Sequence, residues 1–408
     1  MKLLSIKVLH GIVKDFYHGS LGRIHQKELS MRKFISWRNL VRKRHIRYDW
    51  ELCRSKKKTF LVVLCTIMLY IAFRTTNFQP STELFSSSYT GLKGLPYGII
   101  EDRSDLELKP IWSASNSKLK AKGPTPHNLL AMPVGLKQKR NVNTIVQKFV
   151  QENFTIILFH YDGKMDGWWD LKWSRKAVHI VADNQTKWWF AKRFLHPAAV
   201  SLYDYVFLWD EDLGVQHFNP KRYLNIIKEE GLEISQPALD PKSTEIHHRI
   251  TIRRKRLKFH RMVYDPKSSL KCTSASKGPP CTGFVEGMAP VFSRAAWHCA
   301  WHLIQNDLVH GWGMDMKFGY CAQGWRNVGI VDREYVLHQG IQTLGGPSVN
   351  KTGNEVNLAK SRRVVDVRTE IRRQSTSELE IFKKRWEKAV KEDTDWVDPF
   401  PRRKPTHK

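Results

Sequence analysis

Three consecutive carboxylates, Asp210-Glu211-Asp212, follow directly on the apolar run Tyr205-Val-Phe-Leu-Trp209. Adjacent like charges repel, so an apolar strand that stops in three acids calls for a counter-charge. Mg2+ or Mn2+ is one such charge, because these ions take oxygen ligands and bridge to substrate phosphates. In a strand-end D-x-D, Asp210 and Asp212 turn toward one ion while Glu211 points away. A solvated acidic turn or a helix N-terminus is the alternative use of the same triplet. Further along, PPCTGFVEGMAPVF places Glu286 after a Gly/Pro-rich loop, and GWGMDMKFG presents Asp315 behind the tight Gly311-Trp312-Gly313. The run IVDREYVLHQG ends on His338. A carboxylate beside an acceptor serves as a general base, and a neutral imidazole completes a metal site. Read as plain structure, Asp315 caps a helix and His338 is a satisfied loop histidine. Trp312 and the pairs Trp168-Trp169 and Trp188-Trp189 are either core or stacking faces.

The elements that must position these groups begin at Asn128. NLLAMPVG is a short apolar run ending in Gly135, and VNTIVQKFVQEN carries apolar residues at a helical period. FTIILFHYDG is a strand ending at Asp162, AVHIVA is another, NQTKWWFAKRFL is helix-like, and YDYVFLWDED is a third strong strand. Strand–helix alternation with continuous apolar strands predicts an α/β fold, its mostly parallel central sheet covered by helices on both faces. In such folds ligands bind at the carboxyl ends of the strands. That rule points to Gly135, Asp162 and Asp210.

The chain of 408 residues has 68 Lys+Arg against 39 Asp+Glu, a formal charge of +29. Such an excess suits a nucleic-acid binder, but its distribution argues against one. Residues 1–58 hold 16 basic and 4 acidic residues, the run 249–261 holds 7 basic and none acidic, and residues 359–408 hold 15 and 9. The excess therefore sits in two tails and one run. Between the first tail and Arg74, residues 59–73 (TFLVVLCTIMLYIAF) are apolar all round. Flanking Lys58 and Arg74 can snorkel to extend the span, and the basic side stays cytosolic. This predicts a single transmembrane signal anchor in type II orientation. Residues 74–125, rich in Ser, Pro and Gly, then read as a stem, 126–358 as the lumenal domain, and 359–408 as a C-terminal helix and basic tail without assigned chemistry. Sequons at Asn153, Asn184 and Asn350 and the cysteines Cys272, Cys281, Cys299 and Cys321 suit that compartment. Four cysteines allow three connectivities; the local pairs Cys272–Cys281 and Cys299–Cys321 are favoured.

The motifs WDED, VEGMAPVF, GWGMDMKFG and VLHQGIQTLGG, in this order, resemble the glycosyltransferase-like family of plant type II membrane proteins of unassigned function. Some members of that family carry a label borrowed from lysine-ketoglutarate reductase trans-splicing. The resemblance covers about residues 125–350. It implies a GT-A fold with a nucleotide-binding sheet, the D-x-D at Asp210 and Asp212, an acceptor-side carboxylate at Asp315 and a late metal ligand at His338. The borrowed reductase label fails on the residues, because PVGLKQKRN lacks the G-x-G-x-x-G of a dinucleotide site. The expected activity is transfer of a sugar from a nucleotide-sugar donor to a glycan, protein or small-molecule hydroxyl, at the Golgi membrane or another early secretory membrane. Asp210, Asp212 and His338 would hold Mn2+ or Mg2+. Gly135, Lys137 and Asp162, with Glu211, would contact the donor, and Lys192 or Arg193 its phosphates. Asp315 would be the base, with Glu286 as the alternative. The competing reading is a non-catalytic GT-A-like lumenal protein that binds a glycan or a partner; nucleic acid is not an expected partner.

Overall fold

The computed structural model describes residues 64–68, 92, 94–106, 128–267, 271–341 and 367–400. The chain divides into two units, Met1–Glu83 and Leu84–Lys408. In the first, residues 64–68 are helical and exposed. They form the centre of the anchor expected at 59–73; the rest of that segment and the basic tail 1–58 lie outside the described residues, as does Asn350. Among the described residues no helix is long and apolar enough to cross a membrane.

The second unit is organised on eight strands: β1 (Asn128–Val134), β2 (Phe154–His160), β3 (Val178–Val181), β4 (Tyr205–Leu208), β5 (Leu213–Gly214), β6 (Ile234–Leu239), β7 (Val291–Ser293) and β8 (Val328–His338). They form one sheet in the order β3-β2-β1-β4-β7-β6-β8-β5. The first four are parallel, and β8 is parallel to β6. Strand β7 runs antiparallel between β4 and β6, and β5 antiparallel to the end of β8. The sheet is thus mostly parallel, with six strands running one way and only β7 and β5 reversed. The half formed by β1–β4 is the part whose long apolar runs were legible.

Alternation along β1 shows why both faces are covered. Leu129 and Ala131 join one core cluster while Leu130, Met132 and Val134 join the other. Helix α1 (Lys139–Phe149) closes the second face with Val142, Ile145, Val146 and Phe149, the stripe its helical spacing requires. The remaining helices are α2 (Lys187–Phe194), α3 (Pro220–Glu229), α4 (Arg294–Leu303), the single turn α5 (Asp315–Phe318) and α6 (Val367–Glu392). Caps fix where three of them start. Thr186, Asn219 and Ser293 accept from Trp189 N, Arg222 N and Ala296 N at the heads of α2, α3 and α4.

The boundaries expected for the domain are corrected on both sides. Leu95 and Ile99, assigned to a stem, and Phe382 and Trp386, assigned to a tail, are buried in the same core cluster. Tyr97 N donates to Asp393 Oδ2 at 2.7 Å and Trp396 Nε1 to Gly94 O at 3.0 Å, so the two segments fasten each other. Scattered apolar anchors among Ser, Pro and charged residues carry no period, which is why composition alone made these segments look peripheral. The basic run 249–261 is likewise tied down. Arg249 pairs with Asp265, Lys258 with Glu229 and Glu230, and Arg253 lies over the Tyr335 ring. The cysteines join as Cys272–Cys281 and Cys299–Cys321.

Burial at the end of β2 has a measurable consequence. His160 is fully buried, with Nε2 2.7 Å from His179 Nδ1. Burial, and next the charge of His179, lower it from 6.5 to about 4. The native state therefore holds His160 neutral while the unfolded chain takes up a proton below 6.5, so stability is lost as pH falls through that window. This one group is expected to remove about 2 kcal/mol between pH 8 and pH 5. Urea denaturation at the two pH values measures the loss, and His160→Gln should shrink it; an unchanged difference would refute the assignment.

Candidate functional site

The carboxylate triplet sits where β4 has just ended. Trp209 N donates to Ala131 O and Asp210 N to Met288 O at 2.8 Å, so the chain leaves the sheet between β1 and the loop carrying Glu286. Two lobes of one cleft open here, of about 690 and 400 Å3. Both are lined by Lys187, Asp210, Trp312, His338 and Arg372. Glu286 and Asp315 line the larger lobe, and Glu211, Asp212 and Tyr161 the smaller.

Each acid of the triplet has a different task. Asp210 Oδ1 receives Lys187 Nζ at 2.6 Å, and the same ammonium donates to Gly287 O at 2.5 Å. Desolvation raises the Asp210 carboxyl, with Lys187 pulling the other way. Asp212 Oδ2 accepts from Ile341 N at 3.0 Å and faces His338 Nε2 at 3.5 Å. That pairing follows from β5 lying on β8, where Leu213 is the register partner of His338. Burial disfavours the His338 imidazolium, but Asp212 overrides it and raises the group to about 9. Glu211 turns inward, as a D-x-D geometry requires. Its Oε2 accepts from Gly135 N at 2.7 Å and its Oε1 from the Tyr161 hydroxyl, tying the ends of β1, β2 and β4 together. Burial pushes Glu211 up to about 8 against those two hydrogen bonds. Gly135 is required for this knot, since a Cβ there would stand 2.4 Å from Tyr161 Oη.

Across the larger lobe stand the two candidate bases. Glu286 is 7% exposed, and among the described residues its Oε2 has no hydrogen-bond partner. Burial raises it to about 7. Asp315 opens α5, where its Oδ1 accepts from Met316 N at 2.9 Å, and burial raises it to about 6. It is the first residue of the turn rather than its cap, which is Met314, and it lines the cleft. Gly311 and Gly313 have φ of +69° and +91°, a region that side chains rarely adopt, and together they set Trp312 at the cleft with 45% exposure.

Several expected donor contacts are elsewhere. Lys192 Nζ donates to Glu101 O and Trp301 O and lies 3.6 Å from the Trp301 ring centroid, in the core. Arg193 pairs with Asp105 and covers Trp189. Neither lines the cleft, because they lie roughly 140° and 240° further round the helix than Lys187. Lys187 is the cation that sequence reading missed. A signal was present: a lysine in the first turn of a helix opposes the macrodipole and needs an anionic partner. Asp162 fastens its own loop, accepting from Leu136 N at 2.7 Å and Lys164 N at 3.1 Å. Lys137 is exposed, and neither it nor Gly135 or Asp162 is among the lining residues. The tail helix α6, expected to carry no chemistry, contributes Ile371, Arg372, Ser375, Leu379 and Lys383 to the cleft wall.

The metal expectation does not fit the residues as they stand. Among the described residues no group of three or more His, Cys, Asp or Glu is placed to hold an ion. Lys187 occupies Asp210, while Ile341 N and His338 occupy Asp212, so the expected trio is compensated pair by pair. Glu286 Oε2 has no hydrogen-bond partner among the described residues, and it shares the larger lobe with Asp210, His338 and Asp315.

The family model described as "Protein of unknown function (DUF707)" matches residues 86–392. No curated protein matches the chain. Among solved structures, S. aureus TarS 1-349 is similar at 12% identity and a TM-score of 0.35, over 52% of this chain and 60% of that one. The same protein in complex with UDP-GlcNAc is similar at 11% identity and a TM-score of 0.31, over 53% and 59%. The mannosyltransferase Ktr4p from S. cerevisiae follows at 9% identity and a TM-score of 0.22, over 40% and 51%. This chain thus spans about three fifths of the TarS chain and half of the Ktr4p chain it matches.

Proposed function

The chain belongs to the DUF707 family, and from its cleft we propose that it is a glycosyltransferase using a nucleotide-sugar donor. The observation that carries this reading is the cleft at the strand ends. A buried ammonium, Lys187, lies on one side, and two carboxylates with raised proton affinity, Glu286 and Asp315, line the larger lobe. A sugar transfer needs both poles. A carboxylate takes the acceptor hydroxyl proton, the acceptor oxygen bonds to the anomeric carbon, and the bond from that carbon to the diphosphate breaks. The negative charge that develops on the departing phosphate needs a fixed positive group, which a water-poor cleft makes effective. Trp312 offers a flat apolar face between the lobes for a sugar ring or a base. Asp210 orients Lys187, and Asp212 orients His338. No step is routed through Mn2+ or Mg2+, since those carboxylates are already engaged.

The expected place of action is the lumenal face of a Golgi or other early secretory membrane. Its support is the apolar segment 59–73 with its basic flank, together with two disulfides that persist in an oxidising compartment.

Calorimetry of the full-length chain against the common UDP- and GDP-sugars, with and without Mn2+, tests the reading. At least one donor is expected to bind, and Trp312→Ala should weaken it roughly tenfold. A chain that binds none of them under either condition is not a nucleotide-sugar enzyme.

A further inference from the structure

A donor diphosphate brings two or more negative charges into a cleft already lined by Asp210, Asp212, Glu286 and Asp315. It needs counter-charge fixed at the seam of the two lobes. Two cationic residues on well-defined helices reach both lobes, from opposite ends of the domain sequence. Lys187 opens α2; its side chain is 9% exposed, and two of its three N–H donors go to Asp210 and Gly287 O. Arg372 lies on α6. Its helix neighbours are engaged with acids: Arg373 with Glu370, Lys383 with Glu380, Arg385 with Asp307. The Arg372 guanidinium makes no ion pair among the described residues, although it lines both lobes.

The helix that carries Arg372 is firmly placed. Glu378 accepts from His310 N at 2.8 Å and lies 2.9 Å from His310 Nδ1; Phe382 and Trp386 are in the core. Ile371, Arg372, Ser375 and Leu379 form one face toward the larger lobe, as a spacing near four residues dictates. A planar guanidinium matches two phosphate oxygens at once, which a lysine does not.

We propose that Arg372 of the C-terminal helix and Lys187 together clamp the diphosphate of the donor, in the place expected for a divalent cation. This rests on the transferase reading and deepens it. The clamp makes α6 part of the donor site, so the helix beyond the expected domain boundary is required for binding.

Inorganic pyrophosphate is the direct probe, because it carries the recognised group without a nucleoside. Titrated calorimetrically into the full-length chain in EDTA, it should bind. Arg372→Ala should weaken it at least tenfold and Arg372→Lys by less, and Arg372→Ala should leave the melting temperature unchanged, since the side chain is exposed and pairs with no acid among the described residues. Pyrophosphate binding that requires Mn2+, or that is the same in Arg372→Ala, overturns the clamp. So does a chain that binds a nucleotide sugar but not pyrophosphate. If neither nucleotide sugars nor pyrophosphate bind with or without metal, the transferase reading falls as well, a result seen on the unmodified chain alone.

Discussion

Asp315→Asn is expected to lower turnover of sugar transfer by about 10²–10⁴-fold, the usual worth of a positioned general base. Donor affinity should change little, because the substitution is nearly isosteric and leaves Lys187 in place. The competing base is Glu286, and the two differ in a way that kinetics can read. Burial raises Asp315 to about 6 and Glu286 to about 7. A base works only when ionised, so the rate rises with pH and levels off above the pKa of the group in use. The group whose replacement removes that rise from kcat/KM is the base. Initial rates of nucleotide release between pH 5 and pH 8, for the wild type, Asp315→Asn and Glu286→Gln, make the distinction. Full turnover by Asp315→Asn with loss in Glu286→Gln would move the role to Glu286.

Glu211→Ala should destabilise the fold by about 3–5 kcal/mol, since it strands two buried donors and opens a void among them. The donors are Gly135 N and the Tyr161 hydroxyl, held by the two oxygens of one carboxylate. Asn141 Nδ2 also reaches Glu211 O at 2.5 Å, so the backbone of the triplet is gripped from α1 as well. Glu211→Gln keeps the shape and one acceptor and should lose markedly less. Urea denaturation midpoints of the two variants measure the difference. Equal stability of wild type and Glu211→Ala would show that the knot at the strand ends carries no weight. Glu211 lines the smaller lobe and, through this knot, sets the geometry from which Asp210 and Asp212 project.

How much of this was legible differs from residue to residue. Strands β1, β2 and β4 announce themselves because residues buried on both faces must be apolar without interruption. The abrupt change from Leu208-Trp209 to three acids marked the strand end, and hence the cleft, correctly. Lys192 and Arg193 carry the charge that suits a phosphate. Their rotation about α2 takes them into the core and onto Asp105. Lys187, on the same helix, is the one that reaches Asp210. The apolar run before Arg294 reads as a strand leading into a helix, as β7 and α4 are, but its antiparallel insertion between β4 and β6 was not legible, because direction depends on pairing with distant segments.

Local regularities are what the sequence determined alone. Periods of two and 3.6 define strands and helices, abrupt polarity changes mark their ends, and close cysteine spacing suggested two local disulfides. Each of these is a property of neighbours along the chain. The assembly of the cleft depends on pairing between distant segments, which no local period encodes. Ile341 and Asp212, 129 positions apart, are joined by a hydrogen bond beside the pairing of β5 on β8, and that same pairing brings His338 to Asp212. Packing of α6 against the segment around Tyr97 and against His310 brings Arg372 to the cleft wall. Only the tertiary structure decided which charges meet there, since Coulomb interactions act through space and the fold alone sets those distances.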